Sequence, residues 1–365
     1  MSERMWRPGD LDLGRRGIVG VVSALAVLVL GVLTLAAPES AAGTLGGAVF
    51  NSGTLASALR LSVPIALAAV GGIFAEKSGV INIGLEGLLI ISAFGAVYAM
   101  DVVDNLWVAF LAGVLVSTVL AGLFAVVCIE FRADQIIAGL AVWLIALGLA
   151  PFASQVVYGA PNTDSVRTPP TAADVLGPVP VVGDIQSALA AIPVAGALFD
   201  ANVVVYLTFL VVGLSWHTLY RTRFGQWVQA SGENPKALDT AGVNVSRVRY
   251  AAVLLSGVLS GLGGASLSLT LGQFTGNGPT MVNGKGFIAI VAYLFGNYNP
   301  IGAFLSTLLF AGLDALQIAL QLQDVGVPNQ LIRVTPFVMV IVVLALVGRT
   351  RLPAAAGDHY ESGEE

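Results

Sequence analysis

The chain is poor in the groups that do chemistry in water. Only 11% of its 365 residues are charged, whereas a soluble domain carries roughly a quarter. Cys128 is the single cysteine, so neither an intrachain disulfide nor a cysteine metal cluster can form. His217 and His359 lie far apart, and neither neighbours an acidic pair at metal-ligand spacing. A Walker A string, Gly-x4-Gly-Lys-Ser/Thr, is missing; Asn283-Gly-Lys-Gly286 comes nearest but lacks the first Gly and the Ser/Thr. There is no Gly-x-Ser-x-Gly elbow and no His-Glu-x-x-His. These absences exclude a nucleotide-binding subunit, a zinc hydrolase and a serine hydrolase of the familiar kinds. What the chain has instead is 56% hydrophobic residues, a mean hydropathy of +0.86 and 43 glycines. Glycines at that frequency suit transmembrane helices whose backbones approach closely.

Windows of about 20 apolar residues give ten candidate spans. They lie near 17–37, 54–75, 80–100, 105–128, 135–158, 201–220, 249–271, 285–298, 301–321 and 331–348. The eighth is short and flanked by glycine, as expected of a broken helix buried in protein. The fold class is therefore an all-α, polytopic integral membrane protein. With the N-terminus inside, every Lys and Arg except Arg60, Arg167, Lys285 and Arg333 falls on the cytoplasmic side, out of seventeen. The opposite topology would invert that bias. Both termini are thus expected in the cytoplasm. The apolar run of the first span is too long for a signal peptide and reads as an uncleaved anchor.

The expected organisation is a cytoplasmic segment 1–16, a transmembrane domain 17–348 and a disordered, solvated cytoplasmic tail 349–365. Within the domain, a proline-rich external loop covers 159–200. Its stretch Ile185 to Leu198 suits a short helix at the outer interface. A polar cytoplasmic segment, 221–248, interrupts the hydrophobic runs. Here Asn234 before Pro235 marks a helix start, because Asn caps and Pro at the first position loses no needed N–H. Gly242 marks its stop. The short helix has Ala237, Leu238 and Ala241 on one face and looks built to dock into another protein.

A few polar residues sit inside the hydrophobic spans. Asn82 and Glu86, four apart, should share a helix face. A central ionised side chain costs roughly 2.5–3.5 kcal/mol to insert, which Leu85, Leu88, Leu89, Ile90 and Ile91 offset. Glu86 is read as a buried anchor bonded to backbone or another helix, with a proton site or a place on a translocation path as the alternative. Asp314, Gln317 and Gln321 form one stripe, facing either a wet cavity or a helix interface. Trp143, Phe287, Tyr293, Phe295 and Tyr298 read as packing rather than ligand stacking.

Four strings carry a family resemblance. They are Gly-Gly-Ile-Phe-Ala-Glu-Lys-Ser-Gly-Val-Ile-Asn-Ile-Gly-Leu-Glu-Gly (71–87), Gly-Glu-Asn-Pro-Lys-Ala-Leu-Asp-Thr-Ala-Gly-Val-Asn-Val (232–245), Asn-Gly-Lys-Gly-Phe-Ile-Ala-Ile (283–290) and Gly-Asn-Tyr-Asn-Pro-Ile-Gly (296–302). With them the chain resembles the permeases of ABC importers in the branched-chain amino acid, ribose and nucleoside family, and within it the shorter permease of bacterial nucleoside importers. The resemblance implies a type II importer permease in the cell membrane that performs no chemistry of its own. It implies a second permease subunit forming a heterodimer with this one, a cytoplasmic ATPase holding ATP and magnesium, and an external substrate-binding lipoprotein. The coupling helix would use Glu233, Asn234, Pro235, Lys236, Ala237, Leu238, Asp239, Thr240, Ala241 and Gly242. Nucleosides lead as cargo, ahead of ribose-like sugars and branched-chain amino acids. A proton-coupled secondary transporter using Glu86 or Asp314 is the competing class. Two features depart from the family pattern: Trp143 stands where Asn is common, and the loop 159–200 is long.

Overall fold

A computed structural model describes residues 40–322 and 352–361 and, singly, 334, 338 and 341. The span expected at 17–37, the segment 1–16, Arg333 and, apart from those three positions, the span expected at 331–348 lie outside the described residues. Among the described residues, seven helices are long and apolar enough to cross a membrane. The chain is an all-α, polytopic membrane protein.

A short helix α1 (Ala41–Val49) precedes the spans α2 (Ser52–Lys77), α3 (Leu85–Val103) and α4 (Leu106–Ala125), the last continuing through a π-turn to Glu130. Next come α5 (Gln135–Tyr158), the loop helices α6 (Ala172–Leu176) and α7 (Val182–Ala190), and the span α8 (Val203–Arg221). Two polar helices, α9 (Arg223–Glu233) and α10 (Pro235–Thr240), lead into the span α11 (Val245–Leu271). The described spans end with the short α12 (Lys285–Phe295) and α13 (Pro300–Leu322).

The helix starts follow from local chemistry. Asn51, Asn105, Asp134, Asn202 and Asn244 each accept a hydrogen bond from a backbone N–H of the first turn, satisfying donors that have no intrahelical partner. In the loop, Thr171 and Asp174 form a capping box, and the N–H and hydroxyl of Thr171 hold the Asp174 carboxyl below its ordinary range. The expected helix from Ile185 to Leu198 is instead α7 followed by a separate 3-10 turn at Ala195–Leu198. Pro193 lies between them and cannot continue an α-helix.

The helices α2, α3 and α11 are the most enclosed, while α4, α5, α8 and α13 present broad apolar faces outward. Close approach at the centre requires small residues. A Cβ at Gly264 of α11 would collide with the Leu89 carbonyl on α3. Two turns back along α11, Ser117 Oγ of α4 donates to the Gly257 carbonyl at 2.8 Å. Without a hydrophobic drive between helices in lipid, such packing and bonds are what hold the bundle together. At one end of the bundle gather Lys77, Arg132, Arg221, Arg223, Lys236, Arg247 and Arg249, with the polar helices α9 and α10; we call this the basic end.

Two expectations are revised. Asn82 is not on the face of α3, because that helix begins at Leu85. It lies in the preceding loop, where Oδ1 accepts from Gly84 N–H at 3.1 Å and Nδ2 donates to Ser256 Oγ at 3.1 Å. An Asn side chain bonded to the backbone two residues on competes with the helix and defers its start. The tail was expected to be disordered, yet residues 352–361 pack on the basic end, with Pro353 and Ala355 buried.

Candidate functional site

The first polar constellation surrounds α12. Eleven residues at 1.5 Å each make a helix of about 16 Å, half of a hydrocarbon core of about 30 Å. Its N-cap, Gly284, has φ +85 and no side chain to satisfy the first amides. Glu86 does that from α3: its carboxylate accepts from Gly284 N–H at 2.7 Å and Gly286 N–H at 2.6 Å. An anion at a helix N-terminus also meets the positive end of the macrodipole. Glu86 is thus bonded to the backbone that opens α12.

The other end of α12 is tied to α2. Glu76 is buried and accepts from the hydroxyls of Tyr293 and of Tyr298, the latter at 2.7 Å. Tyr298 takes φ +56, a left-handed conformation that costs an L-residue about 1–2 kcal/mol. The two tyrosines therefore do more than pack. Two carboxylates ten residues apart thus clamp one half-helix, with Asn82 between them in the loop.

Lys285 opens α12, about 16 Å along the helix from the end that Tyr298 and Glu76 tie to α2. Its Nζ donates to the Val282 carbonyl at 3.3 Å and interacts electrostatically with Asp314 and Glu86. Trp143 meets Phe287 edge-on at 5.4 Å between centroids, so Glu86 and Trp143 converge at the mouth of α12 and Asp314 joins through Lys285, whereas Asn82 bonds Ser256 of α11. Gln317 and Gln321 continue along α13, away from this cluster. The residues missed from sequence are Glu76, Lys285, Tyr293 and Tyr298 as bonded groups. The ten-residue spacing of Glu76 and Glu86 in one apolar string was the available signal.

Ahead of α12, residues 272–284 run without regular helix and expose Gln273, Asn277 and Asn283. Irregular, polar backbone at membrane depth is tolerated only where protein buries it or a water-filled cavity meets it. The loop 159–200 secures the start of this segment: Thr163 N–H donates to the Phe274 carbonyl at 3.0 Å, and Val166 N–H to the Gly272 carbonyl at 2.7 Å.

Gly286→Ala is expected to unseat the half-helix. A Cβ there would collide with the backbone of Glu86, which cannot yield without moving α3, and overpacking of this kind costs about 1–3 kcal/mol. Gly148→Ala on α5, which meets nothing within 4 Å, should be neutral or slightly stabilising. Thermal unfolding in detergent distinguishes them; equal melting temperatures would remove the close-packing argument.

The second constellation is the elbow at the basic end. Asn234 Oδ1 accepts from Ala237 N–H at 3.1 Å, Pro235 occupies the first turn, and Gly242 takes φ +81. The helix α9 lays Gly225, Val228, Ser231 and Gly232 on the bundle, and Ser231 Oγ donates to the Ser78 carbonyl at 2.8 Å. Glu233, Asn234, Lys236, Ala237, Thr240, Ala241 and Gly242 are exposed, Pro235 and Asp239 half-buried. Leu238 is buried against its own chain, so it does not share the free face with Ala237 and Ala241 as expected. One residue along a helix is a rotation of about 100°, enough to turn Leu238 inward. Trp227, exposed on α9, adds an apolar group that the sequence pattern did not single out.

A polytopic bundle with a clamped half-helix and an outward-facing elbow of capped helices defines a transport permease. The chain belongs to the family described as branched-chain amino acid transport system / permease component, whose model matches residues 54–345. It is 35% identical over 319 residues to the guanosine ABC transporter permease protein NupQ of Bacillus subtilis, covering 84% of this chain and 95% of that one. It is also 35% identical over 318 residues to the nucleoside ABC transporter permease protein NupC of Lactococcus lactis, with 84% and 96% covered. A second B. subtilis guanosine ABC transporter permease protein, NupP, is 22% identical over 293 residues, with 78% and 79% covered. No solved structure matches the chain.

Proposed function

We propose that the chain is one permease subunit of an ATP-driven importer of nucleosides. The single observation that carries this reading is the pre-folded elbow, α9 and α10, presented at the basic end of a permease whose nearly full-length relatives NupQ and NupC are named for guanosine and nucleosides. The basic end faces the cytoplasm by the positive-inside rule, with both termini on that side. A cytoplasmic ATPase holds ATP and magnesium and docks on Ala237, Ala241, Lys236 and Thr240. The pathway is completed by a second permease, a pairing supported by the occurrence of NupP beside NupQ in B. subtilis. An external binding lipoprotein delivers cargo to the loop 159–200. The segment 272–284 lines the pathway with Gln273, Asn277 and Asn283, and ATPase closure moves the elbow, the loop 78–84 and, through Glu76 and Glu86, the half-helix.

Reconstitution of this chain with its second permease and ATPase in proteoliposomes tests the reading. ATP-dependent uptake of guanosine from lipoprotein-loaded medium is expected. Uptake of ribose or leucine instead would reassign the cargo, and uptake driven by a proton gradient without the ATPase would replace the class. Ala237→Glu should weaken ATPase binding about tenfold, a loss ordinary for a charge placed in a docking core, while leaving membrane insertion intact. Normal co-purification and uptake in that variant would remove α10 from the docking face.

A further inference from the structure

The segment 352–361 makes a set of contacts that neither the pathway nor the docking face explains. Its main chain ties into two loops: Ala355 N–H donates to the Gly232 carbonyl at 2.8 Å, and Gly357 N–H to the Gly79 carbonyl at 3.0 Å. Side chains extend the belt. Tyr360 Oη donates to Asp239 Oδ2 on α10 at 2.9 Å, Gln135 Nε2 donates to the Gly357 carbonyl at 3.4 Å, and Arg132 pairs with Glu361 at 2.7 Å. In one ten-residue passage the tail therefore joins α10 and the end of α9 to the loop following Glu76, to α5 and to the end of α4.

Arg249 adds a charge to this belt. Its side chain lies beneath the tail and is 4% exposed. Nη1 donates to the Asp358 carbonyl at 2.8 Å, yet Nε and Nη2 have no hydrogen-bond partner among the described residues. A buried guanidinium left partly unpaired is costly. The Asp358 carboxylate, on the same residue, is a charge that would complete it after a small shift of the tail.

We propose that residues 352–361 form a coupling strap, which fastens the docking elbow to the 78–84 loop and transmits movement of α10 to the carboxylate clamp on the half-helix. This rests on the importer reading above. Arg249, Tyr360 and Gly79 are positioning groups: the strap flanks α10 on its Asp239 side and leaves the Ala237 face open. Strap and docking face are therefore separable. Energetic coupling between two sites requires an element whose arrangement both of them bias, and the strap touches both.

The test uses the complete transporter in proteoliposomes, with a truncation removing residues 352–365 and the milder Tyr360→Phe. The strap predicts that the ATPase still co-purifies and hydrolyses ATP, while substrate moved per ATP falls about tenfold in the truncation, within the usual span of coupling free energies. Tyr360→Phe should show a smaller fall in the same ratio, with unchanged melting temperature. Faster amide exchange at Ala355 and Gly357 in that variant should accompany it. Unchanged transport per ATP in both variants would overturn the strap. Loss of ATPase co-purification would overturn it as well, making the tail part of the docking face. Should truncation prevent folding, Tyr360→Phe decides alone. If the unaltered transporter shows no ATP-driven uptake, the importer reading itself has failed, an outcome seen before either variant is compared.

Discussion

Glu86→Ala is expected to destabilise the protein by about 3 kcal/mol, because one buried and one half-buried amide lose a charged acceptor at once. The bonds to Gly284 and Gly286 N–H are short, at 2.7 and 2.6 Å, and Gly284 offers α12 no side-chain cap of its own. Within an apolar bundle no solvent replaces them. Glu86→Gln keeps a carbonyl oxygen for one amide but gives up the charge facing the helix macrodipole and Lys285, so roughly half of the loss should remain. Thermal unfolding of the purified protein in detergent measures both. A carboxylate present to carry a coupling proton gives the opposite pattern: Glu86→Gln would melt normally and lose only a pH-gradient response. A wild-type melting temperature for Glu86→Ala would sink the capping role.

The second large effect belongs to Glu76. Glu76→Ala should cost about 2–4 kcal/mol, since it leaves the hydroxyls of Tyr293 and Tyr298 buried without their acceptor. The diagnostic result is its relief. Glu76→Leu combined with Tyr293→Phe and Tyr298→Phe removes every polar partner together, and the combination should be more stable than Glu76→Ala alone. A mutant cycle on the three positions reads the coupling directly. If the triple variant is the least stable of the series, the network is not the source of the effect. Uptake should stay impaired in the triple variant even when stability returns, because α2 and the half-helix are no longer bonded.

Much of this architecture was legible along the chain. Asn105, Asp134, Asn202, Asn234 and Asn244 precede apolar or capped runs, and each does cap the helix that follows; capping depends on neighbours two or three residues away, so it survives in a linear reading. The shortness of α12 was visible in the glycines that bound it. Asn82 was misplaced by assuming that i and i+4 always share a helix, when its own side chain bonds Gly84 and delays the helix. Leu238 was misplaced because an isolated short helix does not reveal which of its faces its own chain will cover.

Hydropathy, cap residues and Lys/Arg placement determined by themselves a polytopic helical bundle, its described spans and a capped polar elbow. These are local or additive properties: each residue contributes its transfer free energy or its cap regardless of distant partners. Only the tertiary structure decided that Glu86 and Gly286, two hundred positions apart, close one helix end, that Glu76 gathers Tyr293 and Tyr298, and that the tail lies across the elbow instead of in solvent. Such bonds depend on which unpaired donor or acceptor folding brings into reach in a medium without water, and no window along the chain contains both partners.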